Sequence, residues 1–261
     1  MQNVFNLRSI YLAVCPYAGV IVFTSYSSTS YNFEERIMEL TGELSGLAAY
    51  PGDRFIEVVK KVGFECNLCG KCCTRDFNDH AFLLDDDAER VGGLDRAALV
   101  PAPYYELCDP AGTFYVSGYA IRARRDGTCH FLENGRCRVY EQRPRICRIY
   151  PYMLHREEDD AGVVDWRQIS GLNRHGYYHS EIGDEECGRI WEEVKDYETL
   201  FLKQEIAFLE AVKTHFEANG LRHSPMAYDR HMRRFERGGK VKVNVFHKGQ
   251  FETHTVTKKD Y

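Results

Sequence analysis

The sequence predicts an α+β protein: a loop-rich cysteine-cluster domain of short strands and helices, then a long C-terminal amphipathic helix and a β-hairpin tail. Three observations carry that expectation. Cys66, Cys69, Cys72 and Cys73 fall close together, and Cys129, Cys137, Cys147 and Cys187 follow. From Trp191 to Asn219, apolar residues recur at three- and four-residue steps, the spacing of one helical face. Near the end, two β-type runs flank His247-Lys248-Gly249-Gln250, a hairpin signature.

Taken in order, the chain opens on an apolar run from Ile10 to Phe23, with only Arg8 ahead of it and no small-residue cleavage site. It is short of the ~20 residues that span a bilayer. A Ser/Thr-rich stretch follows, so residues 1–31 are expected to be a leader and linker outside the core. Phe33, Ile37, Leu40 and Leu44 then predict a short helix, broken by Gly46, Pro51 and Gly52. Phe55, Val58, Val59 and Val62 predict a second, with Asp53 as N-cap and Gly63 as the stop. Asp85-Asp86-Asp87 reads as a charged first helical turn on the surface.

Pro101 and Pro103 predict a loop over 100–105, and Cys108 reads as a small buried hydrophobe. Residues 113–141 look β-rich, with strands at Cys129–Leu132 and Cys137–Tyr140 turning around Asn134-Gly135. That turn brings Cys129 and Cys137 together. Pro144 suits a first helical turn, and Pro151 ends it. Val163 to Trp166 reads as a strand, and Asn173 to Ser180 as loop. The long helix stops at Gly220. The domain expectation is a metal-binding core over 32–190 and a helix-plus-hairpin extension over 191–261.

The chemistry lies in the thiols. Thiolates are soft ligands suited to zinc, copper(I) and iron–sulfur clusters. Ten cysteines in 261 residues are too sparse for a small disulfide scaffold and are clustered as ligands are, which favours a reduced, cytoplasmic setting. Cys66, Cys69 and Cys72 follow at equal steps, with Gly70 for a sharp turn, so one loop can offer three ligands. Cys72 and Cys73 project in different directions. Either one stands behind the other, or the two face different metals. Arg143, Arg145 and Arg148 crowd Cys147, where positive charge favours thiolate and offsets an anionic cluster; Arg143 and Arg148 are candidate cofactor-binding residues. His175 and His179 flank Gly176-Tyr177-Tyr178, which does not look helical, and are expected to stay outside the ligand set.

No Gly-rich dinucleotide fingerprint or phosphate loop is present, so a nucleotide cofactor is not indicated. A net charge of -5 carries no global nucleic-acid signal. Residues 221–261 hold ten Lys/Arg against four Asp/Glu, a basic tail suited to an acidic protein or, less so without clustered aromatics, to nucleic acid.

Four pieces in order carry a resemblance: Phe64-x-Cys66-x-x-Cys69-Gly70-x-Cys72-Cys73, Gly127-x-Cys129-x-Phe131-Leu132, Cys137-x-Val139-Tyr140-Glu141-x-Arg143-Pro144-x-x-Cys147-Arg148-x-Tyr150-Pro151, and Cys187-Gly188. Over roughly residues 62–190 the chain resembles the CxxCxxCC family of zinc- or iron-chelating proteins. The resemblance implies a bound metal, and members are often labelled iron–sulfur oxidoreductases. A similar cluster occurs in flagellin lysine methylases, where an iron–sulfur centre is implied. Carried over, the ligand candidates are Cys66, Cys69, Cys72, Cys73, Cys129, Cys137, Cys147 and Cys187. The Pro that often follows the last cysteine is missing here. Leader and tail lie outside the resemblance.

Eight thiols exceed the four that one zinc or one 4Fe–4S cluster needs. Either one centre uses the loop plus a distant thiol, or two centres divide the set. Three functions stay open. One is an iron–sulfur protein in redox or electron-transfer work with a protein partner and no membrane. The others are a zinc-binding structural or interaction module, and a metal-dependent protein-modifying enzyme.

Overall fold

The computed structural model describes residues 31–78, 80–152, 154–158, 164–168 and 174–261; the leader expected over 1–31 lies outside the described residues apart from Tyr31. Helix α1 (Phe33–Ala49) opens on Asn32, whose side chain accepts from the Glu35 amide at 3.1 Å. Gly46 does not break it: the residue rides an exposed side with nothing within 4 Å of a Cβ. The helix ends at Tyr50, because a residue preceding proline is pushed out of the helical region. In α2 (Gly52–Val62), Pro51 rather than Asp53 holds the cap position, and Gly63 closes it in the left-handed conformation, φ 50°.

Next come β1 (Phe82–Leu83), α3 (Asp85–Leu94), β2 (Leu99–Pro101), β3 (Leu107–Cys108), β4 (Thr113–Val116) and β5 (Tyr119–Ile121). Strand β2 stands where the prolines predicted loop. It is an edge strand of the sheet β1-β5-β2, where a missing proline N–H costs no ladder bond. Hairpin β6 (Leu132–Glu133) and β7 (Arg136–Cys137) is shorter than expected but turns on Asn134 and Gly135, both at positive φ. Then follow α4 (Arg145–Ile149), the paired β8 (Leu154–Glu158) and β9 (Val164–Gln168), and α5 (Asp184–Ala218). Helix α6 (Pro225–Glu236) was not anticipated, although Ser224 caps it and Pro225 opens it. Hairpin β10 (Val241–His247) and β11 (Gln250–Val256) forms the tail, as its pattern predicts.

Helix α5, 35 residues and so about 52 Å long, is the spine. Helix α1 lies antiparallel on it, with Phe33 against Phe216 at one end and Tyr50 against Trp191 at the other. Phe55 of α2 also packs on Trp191, ring centroids 5.1 Å apart. Over the far half of α5 lies the sheet β11-β10-β4-β3. Strand β10 runs parallel to β4, Val243 opposite Phe114, so the tail hairpin is built into the sheet. Side chains alternate as a strand requires. Tyr115 faces Phe216 of α5, while Phe114, Val116, Val243 and Val245 join Ala227 and Phe235 of α6 in a second apolar cluster.

The acidic start of α3 is solvated only in part: Asp86 is exposed, as a charged surface turn would be, but its neighbours are engaged. Asp87 is fully buried, accepts from the Arg145 amide at 3.1 Å and pairs with Arg90. Asp85 accepts from the Lys248 amide at 3.0 Å. Helix α3 thus anchors both α4 and the tail turn. Asp87→Ala is expected to lower stability by roughly 1–3 kcal/mol, since it removes a buried carboxylate that satisfies a part-buried amide and a partly exposed guanidinium. Chemical denaturation measures this.

Glu106 and Glu205 face each other near Arg36. Burial pushes both carboxyls up to about 7, opposed in each case by Arg36. In the unfolded chain they ionise near 4.5. Their folded pKa is raised, so the fold keeps its full stability below about 4.5 and loses stability as pH rises from there through about 7. Glu205→Gln is expected to recover roughly 1–2 kcal/mol at pH 8 and nothing at pH 4. Melting curves at the two pH values test the sign.

Candidate metal centre

Gly63 turns the chain out of α2, and Glu65 then exchanges two backbone hydrogen bonds with Tyr177, 2.8 and 2.9 Å. Beyond that clamp the cysteine loop doubles back through two left-handed residues, Leu68 (φ 58°) and Gly70 (φ 72°). The Cys66 sulfur accepts from the Leu68 amide at 3.4 Å, and Asn67 accepts from the Cys69 amide at 3.2 Å. A Cβ at Gly70 would stand 3.0 Å from the Gly135 carbonyl and from a Leu132 methyl, so only glycine lets the loop rest on the β6–β7 turn. One 3₁₀ turn, Lys71–Cys73, completes the loop.

Backbone pairing then joins loop to hairpin. The Cys129 amide donates to the Cys73 carbonyl at 2.8 Å, and the Arg75 amide to the Gly127 carbonyl at 2.9 Å. Cys137 stands opposite Leu132 across β6–β7. Cys147 comes from α4, held in place by Asp87. The electrostatics reflect this convergence. The Cys73 thiol is raised far above the usual range by its hydrogen bond with Cys72, then by burial and by the charges of Cys72 and Cys69. Burial first, then Cys73 and Cys137, pushes Cys129 up to about 12. Cys137 is raised by burial and by Cys73. Cys147 keeps a solvent-exposed face, yet dense protein behind it and the Cys129, Cys73 and Cys137 thiols raise it strongly.

Cys73, Cys129, Cys137 and Cys147 are therefore mutual neighbours. Cys72 touches this group, and Cys66 and Cys69 line the exposed loop beside it. Cys187 is not brought there. It lies buried in the first turn of α5, its thiol facing the Ile182 carbonyl at 3.7 Å, with Lys60, Asp184 and Glu186 as charged neighbours. Cys108 is fully buried in β3.

The candidate arginines separate. Arg143 stacks over the Tyr140 ring at 4.0 Å, and its charge opposes the raised pKa of Cys73, Cys137 and Cys147. Arg148 turns to the Arg143 carbonyl at 3.2 Å and to Glu193 at 3.6 Å. Among the described residues, no three His, Cys, Asp or Glu side chains are already closed around one point. The donor set nevertheless fits zinc or an iron–sulfur cluster: sulfur ligands from three segments, a guanidinium to offset thiolate charge, and protonated thiols that exchange protons for metal.

A second charged feature lies on α6. Arg230, Arg233, Arg234 and Arg237 are exposed and line a cleft of about 630 Å³ with Met226, Asp229 and Gly239. Among the described residues no helix is long and apolar enough to cross a membrane.

Residues 65–168 match the model of the CxxCxxCC family, described as a "putative zinc- or iron-chelating domain". The match contains the cysteines from Cys66 to Cys147 and stops short of Cys187. No curated protein and no solved structure matches the chain. The segment that gathers these thiols is thus similar to a zinc- or iron-chelating domain, which supports metal binding as its role.

Proposed function

We propose that the cysteine corner carries a 4Fe–4S cluster and exchanges electrons with a protein partner in a reduced, cytoplasmic setting. The observation behind this reading is the mutual placement of Cys73, Cys129, Cys137 and Cys147, four sulfur donors with Arg143 turned toward three of them. Four thiolates are the ligand count of such a cluster, which when bound supplies one-electron redox chemistry. Arg143 offsets the thiolate charge and favours the reduced state electrostatically. The exposed face of Cys147 puts the centre near the surface, where electrons reach a docked protein. The α6 arginines offer such a partner an acidic-complementary face. A zinc-binding structural module is the alternative favoured by the same sulfur donors.

Anaerobically purified protein is expected to be brown, absorbing at the blue edge of the visible, and to release acid-labile sulfide. Colourless protein with stoichiometric zinc establishes the alternative. Cys73→Ser and Cys147→Ser are expected to remove most of the chromophore, and Cys108→Ser to leave it intact. Full iron content in both of the first two disproves the ligand set.

The double change Arg233→Glu, Arg237→Glu is expected to shift stability by no more than ~0.5 kcal/mol, because both side chains are exposed. Iron content is expected to stay unchanged. Reduction by an acidic electron-donor protein is expected to slow at low salt, where charge steering is strongest.

A further inference from the structure

Helix α6 carries a chemistry that a metal centre does not use. Its buried side, with Ala227 and Phe235, is held in the second apolar cluster. Arg230, Arg233, Arg234 and Arg237 are exposed, at the spacing i, i+3, i+4 and i+7 that shares one helical face. From first to last the backbone rises only about 10 Å. The four open onto the cleft of about 630 Å³, which lies in the size range of small-molecule sites. We propose that this cleft binds a compact anion carrying several linked phosphate groups.

Charge sets the ligand class. The lining holds four guanidiniums against one carboxylate, Asp229, for a net charge of +3. Nearby Glu236 is taken up by Lys258, and among the described residues none of the four arginines forms an ion pair. Like charges one turn apart, Arg230 with Arg234 and Arg233 with Arg237, destabilise a helix. The helix dipole favours cations in the last turn, which accounts for Arg233 and Arg234 but not for Arg230 a turn earlier. A bound polyanion removes that repulsion. Guanidinium forks match phosphate oxygens in pairs, and a lone carboxylate would neutralise only one of the four.

The cleft has a fixed wall. After α6 the chain turns back at Gly238, φ 81°, and the Gly239 amide donates to the Arg234 carbonyl at 2.8 Å. A Cβ at Gly239 would stand 2.5 Å from the Arg234 Cγ, so glycine lets this turn lie against the Arg234 stem. Met226, 85% exposed, supplies an apolar edge toward the start of the helix. Among the described residues no aromatic ring lines the cleft, so it lacks the stacking platform of single-stranded nucleic-acid sites. A compact polyphosphate needs none. In the reading above the same arginines steer an acidic partner, and a bound polyphosphate competes with that partner for them.

The test reads the cleft directly and needs no iron, so its outcome is independent of the cluster. Full-length protein is titrated calorimetrically with inorganic tripolyphosphate at about 0.15 M ionic strength, where surface attraction is screened beyond ~8 Å. Saturation at one ion per chain is expected, with orthophosphate and the tricarboxylate citrate at least tenfold weaker. Arg230→Gln together with Arg234→Gln is expected to weaken tripolyphosphate at least tenfold. Arg125→Gln together with Lys203→Gln, exposed and outside the cleft, is expected to leave it within twofold. No saturable binding by the wild type, equal loss in the two double variants, or citrate bound as tightly as tripolyphosphate overturns the proposal. Tighter binding of a thymidine oligonucleotide also overturns it, and assigns the face to nucleic acid.

Discussion

The backbone pairing between Cys73–Arg75 and Gly127–Cys129 is the contact on which the cysteine corner depends. Two hydrogen bonds, 2.8 and 2.9 Å, and the bridge of Thr74 with Thr128 tie together segments far apart in the chain. Amides and carbonyls leaving water need such partners, so the pairing is dictated by backbone chemistry rather than by the thiols. Once Cys73 lies beside Cys129, the β6–β7 register brings Cys137 alongside. Asp87, gripping the start of α4, sets Cys147. Backbone contacts thus set where these sulfurs stand, except on the outer loop, where Leu68 and Gly70 leave the chain turned toward solvent.

Much of this was legible in the sequence. Helical spacing located α1, α2 and α5, and the turn residues located both hairpins. The Asn134-Gly135 turn does bring Cys129 and Cys137 into one neighbourhood. What failed had local causes. Gly46 reads as a breaker only if its cost outweighs the packing of Leu40 and Leu47 on α5, and it does not. Pro101 argued against a strand without revealing that its strand would be an edge. Asp85 and Asp87 looked solvated because their partners, the Lys248 and Arg145 amides, are distant in sequence, whereas Asp86 between them is exposed as expected.

The candidate site was legible by residue type and less so by grouping. Spacing alone joined Cys66, Cys69 and Cys72, whereas the fold gathers Cys73 with the distant thiols and leaves Cys187 behind Ile182 in the core. Arg143 and Arg148 look equivalent along the chain. Only the fold shows that one faces the thiols and the other an acidic residue on α5.

The parallel pairing of β10 with β4 has a consequence for how the molecule is made. Strand β4 emerges during synthesis more than a hundred residues before β10, and the edge that β10 covers has no strand partner in that interval. Pairings so separated in sequence close slowly, because loop entropy is lost before contacts repay it. Phe114 and Val116 meet residues made well before β10, such as Tyr105 and Tyr119, in their apolar cluster, but the valines of β10 that complete it come from far along the chain.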